Sequence, residues 1–181
     1  MAVETLISAL KNKDSGLMRY FAARNLGKVD LESEVKPRVV AELKAALLDE
    51  TSYVREAAAY SLSQLGQINA EIVSILLRIN DDDWSPWVLG RRENEAFESL
   101  EKINEVSPQI IEVLVEALWD SSKYVRRKAA YMLYNLQWKH DDIGEELRSR
   151  VLTALLAAIY HDDSFLCDLV WSTLEILTAS E

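Results

Sequence analysis

The sequence predicts an all-α solenoid of about five helix pairs, and three observations predict it. The first is internal repetition. The stretches Tyr53-Val54-Arg55-Glu56-Ala57-Ala58-Ala59-Tyr60-Ser61-Leu62 and Tyr124-Val125-Arg126-Arg127-Lys128-Ala129-Ala130-Tyr131-Met132-Leu133 carry an aromatic, Val-Arg, Ala-Ala and Leu in the same slots, and looser copies begin at Leu17, Val88 and Phe165. The second is the period. Equivalent positions Leu26, Leu62, Phe97, Leu133 and Leu174 are 36, 35, 36 and 41 residues apart, a spacing at which self-similarity signals stacked supersecondary units. The third is that strand signals are missing: no alternating β-branched run and no Asn-Gly or Asp-Gly hairpin turn occurs.

Each repeat reads as two helices. The first helices carry apolar residues at helical spacing, in order Leu6-Ile7-Leu10, Val39-Val40-Leu43-Leu47, Ile72-Val73-Leu76-Leu77, Ile110-Ile111-Leu114-Leu118 and Val151-Leu152-Leu155-Leu156-Ile159. The second helices are the Val-Arg blocks. Between them lie short polar turns such as Asp49-Glu50-Thr51-Ser52 and Asp120-Ser121-Ser122-Lys123, where Asp, Ser and Thr are expected to cap the orphan N–H groups of the next helix. Pro37 and Pro108 fall near first-helix starts, where the missing N–H costs nothing, and Gly66 falls where a second helix should stop. Ten helices are expected, in one repeat domain spanning 1–181 with units of approximately 1–30, 31–68, 69–104, 105–140 and 141–181.

Composition narrows the function classes. The net charge is −10, divided as 13 basic against 17 acidic residues over 1–104 and 7 against 13 over 105–181. Neither half is basic, so a groove that neutralises phosphates is not expected, nor is an anionic membrane surface. The local clusters Arg91-Arg92 and Arg126-Arg127-Lys128 read as solvated faces or structural ion pairs. No apolar run reaches the roughly 18 residues of a membrane span. A single cysteine, Cys167, permits no internal disulfide, which fits a reducing compartment and a cytoplasmic location.

The strings Asp49–Leu62 and Asp120–Leu133, with the pattern Asp-x-x-x-aromatic-Val-Arg-x-x-Ala-Ala-x-x-Leu, resemble HEAT repeats, and in particular the HEAT-like repeats named after phycobilisome lyases. The resemblance covers nearly the whole chain and implies a right-handed α-α superhelix of the armadillo type. It also implies that Asp49 with Arg55, and Asp120 with Arg126, form a structural ladder of hydrogen bonds between adjacent repeats. Gly90 and Cys167 stand in the arginine slots of the third and fifth repeats and interrupt that ladder. Arg19-Tyr20-Phe21-Ala22-Ala23-Arg24-Asn25-Leu26-Gly27 is similar to the start of bilin lyases and phycobiliprotein-handling proteins, which carry paired tryptophans where this chain has Arg24 and Asn25. Ser107–Ile111 leading to Tyr124-Val125-Arg126 is similar to repeat arrays at the C-termini of NACHT-type signalling ATPases. Without a Gly-rich phosphate loop, the resemblance extends only to their sensor part.

Motifs for chemistry are sparse. His140-Asp141-Asp142 and His161-Asp162-Asp163 lie in expected turns, where acidic residues serve as caps, and no nucleophile has a histidine partner nearby in sequence. No catalytic, metal or cofactor residue is assigned. What remains is surface. The slots two and six residues before the Leu62-type positions are expected to face outward on the concave side. There, Tyr20, Arg24, Tyr60, Arg91, Arg127 and Tyr131, followed by Tyr134, combine aromatic area with both charge signs. The third repeat departs from the pattern, with Glu93 in an alanine slot and two tryptophans, Trp84 and Trp87, in its acidic turn. That turn is a second candidate for contact. Trp119 is expected in the core, while Trp171 replaces a small residue at an end. The expected function is a non-catalytic protein-interaction scaffold, with another protein as partner, no nucleic acid and no membrane, and with dimerisation through a terminal repeat left open. A bilin-handling factor and a sensor module are the rival expectations.

Overall fold

A computed structural model describes residues 2–79, 99–100, 107–135, 144–158 and 164–178. Among these residues every regular element is a helix. They fall into two compact units, Met1–Ile79 and Asn80–Glu181.

The first unit contains α1 (Ala2–Leu10), α2 (Gly16–Leu26), α3 (Lys36–Ala46), α4 (Ser52–Gln64) and α5 (Ala70–Leu77). Alternation of first and second helices is expressed in their packing: α1 lies on α2, α3 on α4, and α4 on α5, while the two second helices α2 and α4 pack directly against each other. The second unit repeats the arrangement with α6 (Pro108–Ala117), α7 (Lys123–Asn135), α8 (Glu145–Ala158) and α9 (Ser164–Thr178). Here α6 lies on α7, α8 on α9, and the second helices α7 and α9 pack together. The all-α repeat solenoid expected from the sequence is the fold class. The stretch expected to form the second helix of the third repeat lies outside the described residues except for Ser99 and Leu100, which are helical and buried.

Helix ends follow from their residues. Ser15, Asn69 and Ser107 sit at N-caps and their side-chain oxygens accept from the N–H of Met18, Ile72 and Ile110 at 3.2, 2.9 and 3.2 Å. Pro37 and Pro108 stand in the first turns of α3 and α6. Gly66 ends α4 with φ +76, and the Gln67 N–H then reaches Leu62 C=O at 2.8 Å, closing the six-to-one bond of a left-handed helix stop. The turn acids behave differently from the expectation. Asp49 and Asp120 accept from the N–H two residues on, Thr51 and Ser122, each at 2.9 Å. They therefore shape the turn rather than cap the helix. Thr51, at the N-cap of α4, makes no side-chain cap bond.

The core consists of the repeated Leu, Val and Ala positions. Leu26, Leu62 and Leu133 are inaccessible to solvent, as are Ala23, Ala59 and Ala130. Small residues let second helices approach closely. Ser61 of α4 is buried and donates its hydroxyl to Ala23 C=O of α2 at 2.8 Å. A Cβ on Gly27 would lie only 2.7 Å from the Cα of Ser61. Two sequence expectations change here. Trp119 is 57% exposed rather than core. It follows the buried Leu118 at the end of α6, in the same slot as Leu48, which is also exposed, because the chain has left the helix and the side chain no longer faces the partner helix. Lys128, in the cluster read as a solvated face or structural ion pairs, is buried and engaged, because it occupies the slot of the buried Ala57.

Candidate functional site

The ladder residues form the best-defined polar cluster of the first unit. Its centre is Arg19 of α2, only 7% exposed. Arg19 Nε donates to Asp49 Oδ2 at 2.7 Å and Nη2 to Asp49 Oδ1 at 2.9 Å, a bidentate pair across adjacent repeats. Nη2 also reaches Glu50 Oε1 at 3.1 Å and Thr51 Oγ1 at 3.2 Å, and Nη1 donates to Asn12 C=O at 3.0 Å. The guanidinium is thus held on both sides: by the turn of its own repeat and by the turn of the next. Its hydrogen bonds hold the Asp49 carboxyl below its ordinary range, helped by the Thr51 N–H, and raise the guanidinium's own proton affinity.

This geometry refines the expected pairing. Arg55 does not bond the Asp49 carboxylate. It donates from Nη1 to the backbone carbonyls of Asp49 and Glu50 at 2.7 and 3.1 Å. Arg126 repeats the bond to Asp120 and Ser121 carbonyls at 2.8 and 2.9 Å. These arginines tie their own helix to the turn before it. That leaves the Asp49 carboxylate to receive the arginine of the preceding repeat, and Arg19 was the residue that spacing within one repeat could not reveal. The signal was present in the alignment, since Arg19 occupies the same slot as Arg55 and Arg126. Replacing Arg126 by alanine is expected to cost about 1–3 kcal/mol, the scale of hydrogen bonds from a charged group, read as a lowered midpoint in thermal denaturation.

The aromatic and basic face is less open than expected. Arg24 and Tyr60 in the first unit, and Arg127 and Tyr131 in the second, are half-buried, while Tyr134 is exposed. Tyr20 departs from the expected register: its ring is buried, packed edge-on to Tyr53 at 5.8 Å between centroids and to Phe21 at 5.2 Å. The close approach of α4 brings Tyr53 over it. Tyr20 still serves the surface indirectly, because its hydroxyl accepts from Arg24 Nη1 at 2.7 Å and fixes that guanidinium one turn later. Trp171 is 54% exposed in the slot where Ala59 and Ala130 are buried. Arg91, Trp84, Trp87, Trp138, Glu93 and the two His-Asp-Asp turns lie outside the described residues. Among the described residues no cluster of His, Cys, Asp and Glu is arranged to hold a metal, and no helix is long and apolar enough to cross a membrane.

Comparison with known proteins follows the same architecture. A family model of HEAT repeats matches residues 3–93. No curated protein matches the chain. Among solved structures, a designed armadillo repeat protein in complex with the peptide (KR)4 is similar at 18% identity over 97% of this chain and 82% of that chain, with a TM-score of 0.58. A second designed armadillo repeat protein is 19% identical over 97% and 82%, with a TM-score of 0.55. A computationally designed armadillo repeat protein for modular peptide recognition is 17% identical over 95% and 80%, with a TM-score of 0.54. At these identities the likeness is one of fold.

Proposed function

The chain belongs to the HEAT-repeat family, and from that membership we propose that it is a non-catalytic scaffold that holds a segment of another protein on the faces of its second helices. The observation that carries this reading is the recurrence of half-buried arginine and tyrosine at matched slots, Arg24 and Tyr60 in one unit and Arg127 and Tyr131 in the other. Side chains in that state are partly desolvated and partly ordered before a partner arrives, so they lose less on binding than free surface groups. Tyrosine and arginine are also the residues that dominate interface energetics. Arg24 illustrates the point: the Tyr20 hydroxyl orients its guanidinium.

The complex of a designed armadillo neighbour with a peptide supports a peptide segment as the ligand class. Glu56 on α4 and Asp168 on α9, each on the second helix that follows the one bearing Arg24 or Arg127, favour a segment of mixed charge. The pattern at Asp49–Leu62 and Asp120–Leu133 favours the phycobilisome-lyase-type subgroup of HEAT repeats, and the lone half-buried thiol of Cys167 favours a cytoplasmic setting.

Removing both Tyr60 and Tyr131 side chains to alanine is expected to weaken binding of the partner captured from the native cell at least tenfold, about 1.4 kcal/mol, with the helical circular dichroism signal unchanged. A folded double variant that binds as before would move the interface away from these faces. Covalent transfer of a bilin to an acceptor phycobiliprotein by the purified chain would replace the scaffold reading with an enzymatic one.

A further inference from the structure

We propose that the stretch of partner segment lying on the second unit is basic, with arginine or lysine side chains seated between the tyrosines of α7 and the carboxylates of α9. This rests on the reading of the second helices as the binding face and supplies the chemistry of what they hold.

Charge is divided unequally between the two units. Residues 1–79 carry 10 basic and 10 acidic side chains, whereas residues 80–181 carry 10 basic and 20 acidic. The whole net charge of −10 therefore belongs to the second unit. The cations of α7 are engaged within the chain. Arg126 is tied to the Asp120 and Ser121 carbonyls, and Lys123 lies over the Tyr124 ring, 5.1 Å from its centroid. Lys128 is buried and Arg127 half-buried, and both have partners. On α9, by contrast, Asp168 and Glu175 are exposed. The Asp168 carboxylate has no partner among the described residues, and the Ser172 hydroxyl donates instead to the Asp168 backbone carbonyl at 2.9 Å.

Equivalent slots align these groups across the helix pair. Tyr134 of α7 stands where Glu175 stands on α9, Tyr131 where Ser172 stands, and Arg127 where Asp168 stands. The two helices pack directly against each other, and packed helices lie about 8–10 Å apart. A long cationic side chain entering along this seam meets a phenol ring on one side and a carboxylate on the other. The ring face attracts the cation through its quadrupole, and the carboxylate supplies the opposite charge. An acidic or apolar side chain gains neither. These slots stay reachable in a continuous stack. Arg127 and Tyr131 remain half-open although α9 packs on α7, so a helix packed on α9 in the same way would leave Asp168 and Ser172 half-open too.

Fluorescence anisotropy of a labelled peptide of alternating arginine and serine, titrated with the full chain, tests this. The control peptide carries glutamate in place of arginine. The arginine peptide should bind, more weakly as salt is added, and the glutamate peptide should not. Asp168→Asn and Tyr134→Ala should each raise the dissociation constant about threefold or more, the scale of one exposed ion pair or cation–π contact, with the helical circular dichroism signal unchanged. Glu145→Gln combined with Glu146→Gln removes two exposed charges from α8 and should leave the dissociation constant unchanged. Equal weakening by that pair would mean diffuse attraction to an acidic surface and overturns the proposal, as does binding of both peptides or of neither. If partner capture depends on Tyr60 and Tyr131 while peptide binding ignores Asp168 and Tyr134, the scaffold reading stands and this inference alone fails. The converse result retains the basic-segment site and removes the matched arginine and tyrosine slots as the binding face.

Discussion

Replacing Arg19 by alanine is expected to lower unfolding free energy by about 3 kcal/mol or more, the largest effect of any single polar substitution in the first unit. The guanidinium is nearly enclosed, with side-chain exposures of 8% for Arg19 and 12% for Asp49, and removing one partner of such a pair strands the other charge without compensation. Four acceptors lose their donor at once: Asp49, Glu50, Thr51 and the Asn12 carbonyl. By contrast, Arg55→Ala removes only bonds to two turn carbonyls and should cost clearly less. The exposed pairs Arg38–Glu4 and Arg150–Glu112 should each be worth under about 1 kcal/mol. The pair also has a pH signature. Arg19 holds the folded-state Asp49 carboxyl below its unfolded value, so its contribution is fully present above the unfolded value near pH 4. It is lost as the pH falls through the lower folded value. Urea unfolding between pH 2 and 6 should therefore show an acid-labile component in the parent chain that is much smaller in Arg19→Ala, where only the Thr51 bonds remain to lower the Asp49 carboxyl. An equal pH dependence in both would mean that Asp49 is not the coupled group.

Gly27→Ala is expected to destabilise by about 2–3 kcal/mol, at the upper end for overpacking a close approach. The cause is steric rather than conformational, because Gly27 has ordinary helical dihedrals of φ −75 and ψ −13. The added methyl would lie 2.6 Å from Ser61 Oγ and 2.7 Å from both Ser61 Cβ and Cα. A side chain can turn away, but the Cα belongs to the backbone of α4, so the two second helices would have to separate. Separation also stretches the Ser61 hydroxyl bond to Ala23 C=O. Combining Gly27→Ala with Ser61→Gly should recover only part of the loss, since the clash with the α4 backbone remains and a helix-interior glycine adds its own cost of about 1 kcal/mol. Full recovery in the double variant would mean that the Ser61 side chain alone limits the approach of α4. Alanine at Gly66 should also be unfavourable, for a different reason: nothing lies within 4 Å, but φ is +76, which disfavours a Cβ.

Most of the architecture was legible because it is local. Helix pairs announce themselves through apolar spacing over ten to fifteen residues, and the buried Leu26, Leu62 and Leu133 follow from a period that alignment of the chain with itself exposes. Pro37, Pro108 and Gly66 mark boundaries by backbone constraints that belong to the residues themselves. Partner choice is another matter. Asp49 lies six residues from Arg55 but bonds by its carboxylate to Arg19, thirty residues away, because the turn of one repeat is laid against the second helix of the one before. Tyr20 is an amphipathic residue in a slot that a helical wheel leaves open, and only the packing of α4 and Tyr53 over α2 buries it. The same holds for Lys128, buried where the sequence left a solvated face and structural ion pairing both open, and for Met18 and Phe21, exposed where their counterparts are covered. Local periodicity specifies which residues form helices and which stripe is apolar. Whether a given stripe meets another helix or water depends on packing between residues thirty to forty positions apart, and that only the tertiary structure decided.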